Sequence, residues 1–171
     1  MHQVKFTVYA TPQPQGSARV FIVKGKWGAS DRATITHDNK KLKPYRQELT
    51  NTAMVELHNS GIAVPMAGKQ VPVSLVIDFY FNKPPSVPKK RREIAVKPDL
   101  DKLVRSTTDA LTGILYVDDA QVVEYSVRKH YGSPERAEIS ATIVEAVAEG
   151  KDTLFAGDER GENQYQTRGI F

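Results

Sequence analysis

Four aspartates in two short blocks, Lys97-Pro98-Asp99-Leu100-Asp101 and Val117-Asp118-Asp119, carry most of the chemistry that this sequence offers. Clustered carboxylates repel one another and stay ionised together only beside a cation or basic side chains. Mg²⁺ meets that need: one or two carboxylates hold it, and water and phosphate oxygens complete its octahedron, so three or four aspartates suffice for one or two ions. Mn²⁺ is an acceptable substitute. A purely structural alternative stands beside this reading. An aspartate opening a helix caps free amides, a second in the first turn favours the helix dipole, and Asp-Asp builds turns. With no cysteine in the chain, thiolate zinc sites, disulfides and a cysteine nucleophile are excluded. His2, His37, His58 and His130 lack metal-ligand spacing.

Basic residues surround the first acidic block. Lys83, Lys89, Lys90, Arg91, Arg92, Lys97, Lys102 and Arg105 face only Glu93, Asp99 and Asp101, a local excess of five that exceeds the net charge of +4 for the whole chain. A run such as Lys89-Lys90-Arg91-Arg92 is often just a solvated loop. Placed next to acids able to hold a metal, it also reads as a surface that attracts a phosphate backbone. Arg19, Arg128, Lys129 and His130 are further candidates for phosphate contact, each equally consistent with a solvated strand edge. Trp27 is suited either to stacking on an unpaired base or to packing beneath its own loop.

The elements that must position these residues follow from hydrophobic period. Val4 to Tyr9 alternates apolar and polar, as a half-buried strand does, and Thr11-Pro12-Gln13-Pro14-Gln15-Gly16 breaks it. Arg19 to Val23 and Ala33 to Thr36 are short strand candidates. Tyr45 to His58 has helix-compatible spacing, opened near Pro44 and stopped at Asn59-Ser60-Gly61. Val71 to Phe81, β-branched and aromatic, is the central-strand candidate, with Pro72 at its start. After the proline-rich basic loop 84–97, Leu100, Leu103, Val104, Thr107 and Leu111 predict a helix from near Asp99 to a stop at Gly113. Pro98 biases Lys97 towards an extended approach, from which Asp99 and Asp101 can converge. Gln121 to Lys129 and Ala137 to Val144 alternate as strands. A tight return before Gln121 would bring Asp118 and Asp119 beside the first pair. Residues 148–171 are polar and aperiodic, and read as a mobile tail after a domain of residues 1–147.

At 171 residues, 40% hydrophobic and 26% charged, the chain suits one globular domain with a real core. No apolar run approaches the roughly 20 residues of a membrane span, and the start lacks the pattern of a secretory signal. A cytoplasmic protein is the expectation.

Three separated blocks, Lys97-Pro98-Asp99-Leu100-Asp101, Asp109-Ala110-Leu111-Thr112-Gly113 and Val117-Asp118-Asp119-Ala120-Gln121-Val122-Val123-Glu124, resemble the RusA family of Holliday junction resolvases in order and spacing. Weaker likeness runs forward through Phe6-Thr7-Val8 and Gln15-Gly16-Ser17-Ala18-Arg19, and back to about Val144. The resemblance implies a compact single-domain α+β fold, a mixed sheet packed by about two helices, in a homodimer. It also implies Mg²⁺ dependence and paired nicks across a four-way DNA junction that leave 5′-phosphate and 3′-hydroxyl ends. Asp99, Asp101 and Asp119 match the family's metal-binding acids, with Asp118 as an auxiliary. Arg19, Lys89, Lys90, Arg91, Arg92, Lys97 and Lys102 are the expected DNA contacts.

Two positions depart from the family pattern. Lys102 stands where asparagine usually follows the second aspartate, and Arg105 stands where the family has a catalytic lysine. Arginine keeps the charge and grips phosphate with two donors, but it does not give up a proton at ordinary pH. Arg105 is thus expected to stabilise charge without acting as an acid; as a surface residue it would merely pair with Asp101. The competing functions are a basic junction-binding module that does not cut, and a branched-DNA nuclease with no four-way preference.

Overall fold

A computed structural model describes residues 3–16, 18–24, 32–37 and 39–144. Strands β1 (Gln3–Val8), β2 (Ala18–Val23) and β3 (Arg32–His37) precede helix α1 (Leu42–Asn59). Strand β4 (Val73–Phe81), helix α2 (Leu100–Leu111), a single 3₁₀ turn (Asp119–Gln121), β5 (Val122–Tyr131) and β6 (Arg136–Ile143) follow. Four strands form one mixed sheet in the order β1-β6-β4-β5, and β2 and β3 form a separate antiparallel hairpin. The chain is a single α+β domain with two helices among the described residues.

Val71 to Phe81 does supply the central strand: β4 lies antiparallel to β6 and parallel to β5. A parallel neighbour demands a crossover, and the chain uses it to carry the basic loop and α2 between β4 and β5. Alternate residues of β1, β4 and β6 enter one core: Val4, Phe6 and Val8; Leu75, Ile77 and Phe79; Ala137, Ile139 and Ala141. Leu49, Ala53 and Leu57 of α1 and Leu103 and Leu111 of α2 close it, recurring at one-turn and two-turn spacings as a helix face requires. The residues between them, including Lys5, Asp78, Glu138 and Ser140, line an open polar groove on the other side of the sheet.

Helix α1 starts three residues before the expected Tyr45, so Pro44 falls inside its first turn. Amides there have no helical acceptor, and proline's missing N–H costs nothing. Helix α2 ends where Gly113 adopts φ +81°, a left-handed conformation that glycine accepts without a Cβ clash. Buried Ile114, Leu115 and Tyr116 then return the chain beside Met66 and Ala67 through two backbone hydrogen bonds, Met66 N–H to Ile114 O and Ala67 N–H to Leu115 O. No helix among the described residues is long and apolar enough to cross a membrane. The tail 148–171 and Trp27 lie outside the described residues.

Candidate functional site

Asp99 is the N-cap of α2, with the extended backbone (φ −68°, ψ 135°) that suits a residue leading into a helix, yet its carboxylate caps no amide there. It lies instead 3.1 Å from the Lys102 ammonium, both side chains being nearly half exposed. Asp101 occupies the first turn and is exposed. One turn on, Arg105 is exposed too, and it forms no ion pair with Asp101. Positions 101 and 105 are one turn apart and exposed on a helix whose Leu103, Ser106, Thr107 and Leu111 are buried, whereas Asp109, one turn further on, is half-buried against Arg46 of α1.

The second pair divides in role. Asp118 Oδ1 accepts the Ala120 amide at 2.9 Å, and Gln121 Oε1 accepts the amides of Val117 and Asp118 at 2.9 and 3.0 Å, a reciprocal capping box around the 3₁₀ turn. Gln121 Nε2 donates onward to the carbonyls of Gly68 and Val71, locking the turn to the loop before β4. Asp118 is therefore the turn residue of the structural alternative. Asp119 is exposed and takes no part in the capping box. Its charge, together with that of Asp109, acts on Tyr125 and Tyr116, whose hydroxyls are pushed up first by burial and then by these neighbouring negative charges. Asp109 Oδ2 also accepts Arg46 Nη2 at 2.7 Å.

Among the described residues no three His, Asp or Glu side chains gather closely enough to hold one ion. The acids are available as separate exposed groups. Mg²⁺ takes one or two carboxylates plus waters and phosphate oxygens, so the hard, partly exposed oxygens of Asp99, Asp101 and Asp119 suit it in kind. They do not form a preassembled cage.

Several cations take positions that sequence did not reveal. Lys83 Nζ donates to the carbonyls of Lys89 and Arg91 at 3.0 and 2.7 Å and lies 5.5 Å from the centre of the Tyr131 ring. Lys129 Nζ donates to the carbonyls of Val96 and Pro98 at 3.0 and 2.9 Å. Between these ties Glu93 forms a bridge to His130 of β5. The basic loop is thus fastened along β5, while Lys89, Lys90, Arg91, Arg92 and Lys97 remain exposed. His130 itself is 2.7 Å from Asp78 Oδ1 and stacks on Tyr80, so the open face of the sheet uses it. Arg19 falls in β2 opposite Thr36, and its side chain lies outside the described residues.

A second node fixes α2 from its other flank. Arg46 Nη2 donates to Asp109 and to Gln15 Oε1, the Gln15 amide donates to Lys102 O at 2.9 Å, and Ser106 Oγ donates to Gln13 O. The proline-rich segment after β1 is thereby bound to the first turns of α2.

Residues 11–142 match the family model described as endodeoxyribonuclease RusA. The chain belongs to the RusA endodeoxyribonuclease family. It is also similar to the uncharacterized protein YqaN of Bacillus subtilis (strain 168), at 33% identity over 156 residues that cover 85% of this chain and 100% of that protein. Membership of the RusA family makes the chain an endodeoxyribonuclease by descent, a hydrolase of DNA. All three sequence blocks lie inside the matched span, in α2 and in the return to β5.

Proposed function

We propose that this RusA-family chain is a Mg²⁺-dependent, structure-specific endonuclease that resolves four-way DNA junctions by symmetric nicks, working as a homodimer through its domain of residues 1–147. The observation that carries the reading is the start of α2: an aspartate that caps nothing, a second two residues on in the first turn, and exposed cations in the fastened loop that leads into it. A capping role would have used the Asp99 carboxylate on the helix amides; leaving it beside Lys102 fits a ligand site.

Asp99, Asp101 and Asp119 are the residues that would hold the metal, which when bound supplies an activated water and neutralises charge on the scissile phosphate. The chain's own part is positioning and electrostatics. Exposed Lys89, Lys90, Arg91, Arg92 and Lys97 attract and align the backbone, and Lys102 beside Asp99 offsets repulsion between carboxylate and phosphate. Arg105, exposed one turn after Asp101, would grip a phosphate with two donors as charge develops. Two such sites about a twofold axis would match the approximate symmetry of a four-way junction.

The test is cleavage of four-way, three-way and linear duplex DNA with and without Mg²⁺. Selective, Mg²⁺-dependent paired nicking of the four-way substrate is expected. Binding without cutting would favour the non-catalytic module, and equal cutting of three-way DNA would favour the general branched-DNA nuclease.

A further inference from the structure

We propose that Lys129 is a positioning residue, which acts from the edge strand β5 to hold the backbone that presents Asp99, and that it is not one of the phosphate-binding cations. The inference rests on the reading of Asp99 as a site carboxylate. Its basis is how the chain is held just before α2. From the Glu93–His130 bridge to the first helical hydrogen bond, Leu103 N–H to Asp99 O, the two bonds holding the backbone among the described residues are those from Lys129 Nζ to Val96 O and Pro98 O.

Residues 95–97 of this segment are exposed, and Ile94 is the one buried side chain that anchors it. A proline at 98 has no amide to give. Without the ammonium, the stretch from Ala95 to Pro98 would have no hydrogen-bonded partner to set its path, and Asp99 is the next residue along. An ammonium carries three donors and no acceptor. Two of Lys129's are spent on carbonyls, which also keeps its head group turned towards the loop instead of outward to a strand of DNA. Misplacing a reacting group by about 1 Å costs on the order of 100-fold in rate, so a tie one residue from Asp99 has leverage on catalysis without touching substrate.

The full-length chain tests this with Lys129→Met, which keeps the apolar stem and removes the donors, and Lys129→Arg, whose guanidinium can again reach two carbonyls. Three quantities are measured: single-turnover cleavage at saturating enzyme and Mg²⁺, junction affinity against salt without metal, and the backbone ¹⁵N relaxation of residues 95–97 and 99–101. Lys129→Met is expected to slow cleavage by about tenfold or more, with affinity within about twofold of wild type and the salt slope unchanged. Backbone motion in these residues should rise, and Lys129→Arg should recover much of the rate. A normal rate, or a weakened affinity with a salt slope smaller by about one, would make Lys129 an ordinary surface or phosphate-binding cation and overturn the proposal. Unchanged backbone motion in the segment would overturn it as well. If Lys129→Met does not fold, Lys129→Gln is read by the same criteria. Asp99→Asn separates the two ideas: full activity in that variant removes the site reading, whereas the relaxation of the segment still reports on the tie itself.

Discussion

The Asp99 carboxylate lies 3.1 Å from the Lys102 ammonium and accepts no amide of the helix that it opens. A side chain used as a cap contributes about 1 kcal/mol, and its loss is visible in melting; one held beside a neighbouring cation at nearly half exposure contributes far less to stability. Asp99→Asn, Asp101→Asn and Asp119→Asn are therefore expected to leave thermal stability nearly unchanged while abolishing cleavage and keeping or tightening junction binding. Asp118→Ala should do the reverse, losing about 1 kcal/mol of stability with its cap while retaining activity. Melting and single-turnover cleavage of the four variants check both halves. Full activity in any of the first three would take that residue out of the site.

A different measurement addresses the basic loop. Replacing Lys89, Lys90, Arg91 and Arg92 together by alanine should weaken junction binding and lower the slope of log affinity against log salt by about one for each phosphate that the loop no longer neutralises. Lys83→Met should leave that slope nearly intact, because its ammonium is already committed to the carbonyls of Lys89 and Arg91. It should instead raise susceptibility of the loop to limited proteolysis. An unaltered slope in the quadruple variant would mean that the loop faces away from DNA.

The path of the chain was legible wherever burial imposed a period. Alternation in β1, β4 and β6 and the three-to-four spacing in α2 are the direct imprint of a sheet face and a helix stripe meeting in one core; β5, at the sheet edge, does not follow its sequence alternation, since Val123 and Tyr125 are exposed and only Val122 and Val127 pack partly against the core. The separation of Asp118 from Asp119 was also written in the sequence, since Asp118 followed three residues later by Gln121 is a capping-box pattern. What could not be read were the long-range ties. Lys83, Lys129 and Arg46 bond to backbone carbonyls or to side chains distant in sequence, and a carbonyl has the same identity at every residue. Counting Lys83 among the free cations of the basic loop, as its position suggests, overstates the charge left for DNA.

Alkaline pH offers a test of the packing around α2. Tyr45, hydrogen-bonded to Thr107 Oγ1, and Tyr116, donating to Thr108 O, are buried, and burial raises both hydroxyls well above their ordinary 10.0. Folding thus favours the neutral phenols. Stability from this source is complete below pH 10 and falls as the pH rises above it, where the unfolded chain releases protons that the folded chain keeps. Chemical denaturation between about pH 8 and about pH 11.5 should show a decline that begins near the ordinary tyrosine value of about 10. Tyr116→Phe should flatten it, while losing a buried hydrogen bond worth about 1 kcal/mol at neutral pH. A decline identical in wild type and Tyr116→Phe would mean that this hydroxyl is not held from solvent.

Arg105 decides how this chain departs from the family's lysine. It is exposed on α2 and makes no ion pair with Asp101, so the surface-pair explanation of its presence lacks the bond it requires. An exposed guanidinium one helical turn after Asp101 is available for a phosphate, and removing a charge that acts mainly in the transition state costs about 100-fold or more in rate. Arg105→Ala should therefore slow single-turnover cleavage by that order at saturating enzyme and Mg²⁺, with melting unchanged. Arg105→Lys should retain much of the activity, because the charge persists and the family's usual residue type returns. A near wild-type rate for Arg105→Ala would defeat the catalytic assignment and leave this position to solvent.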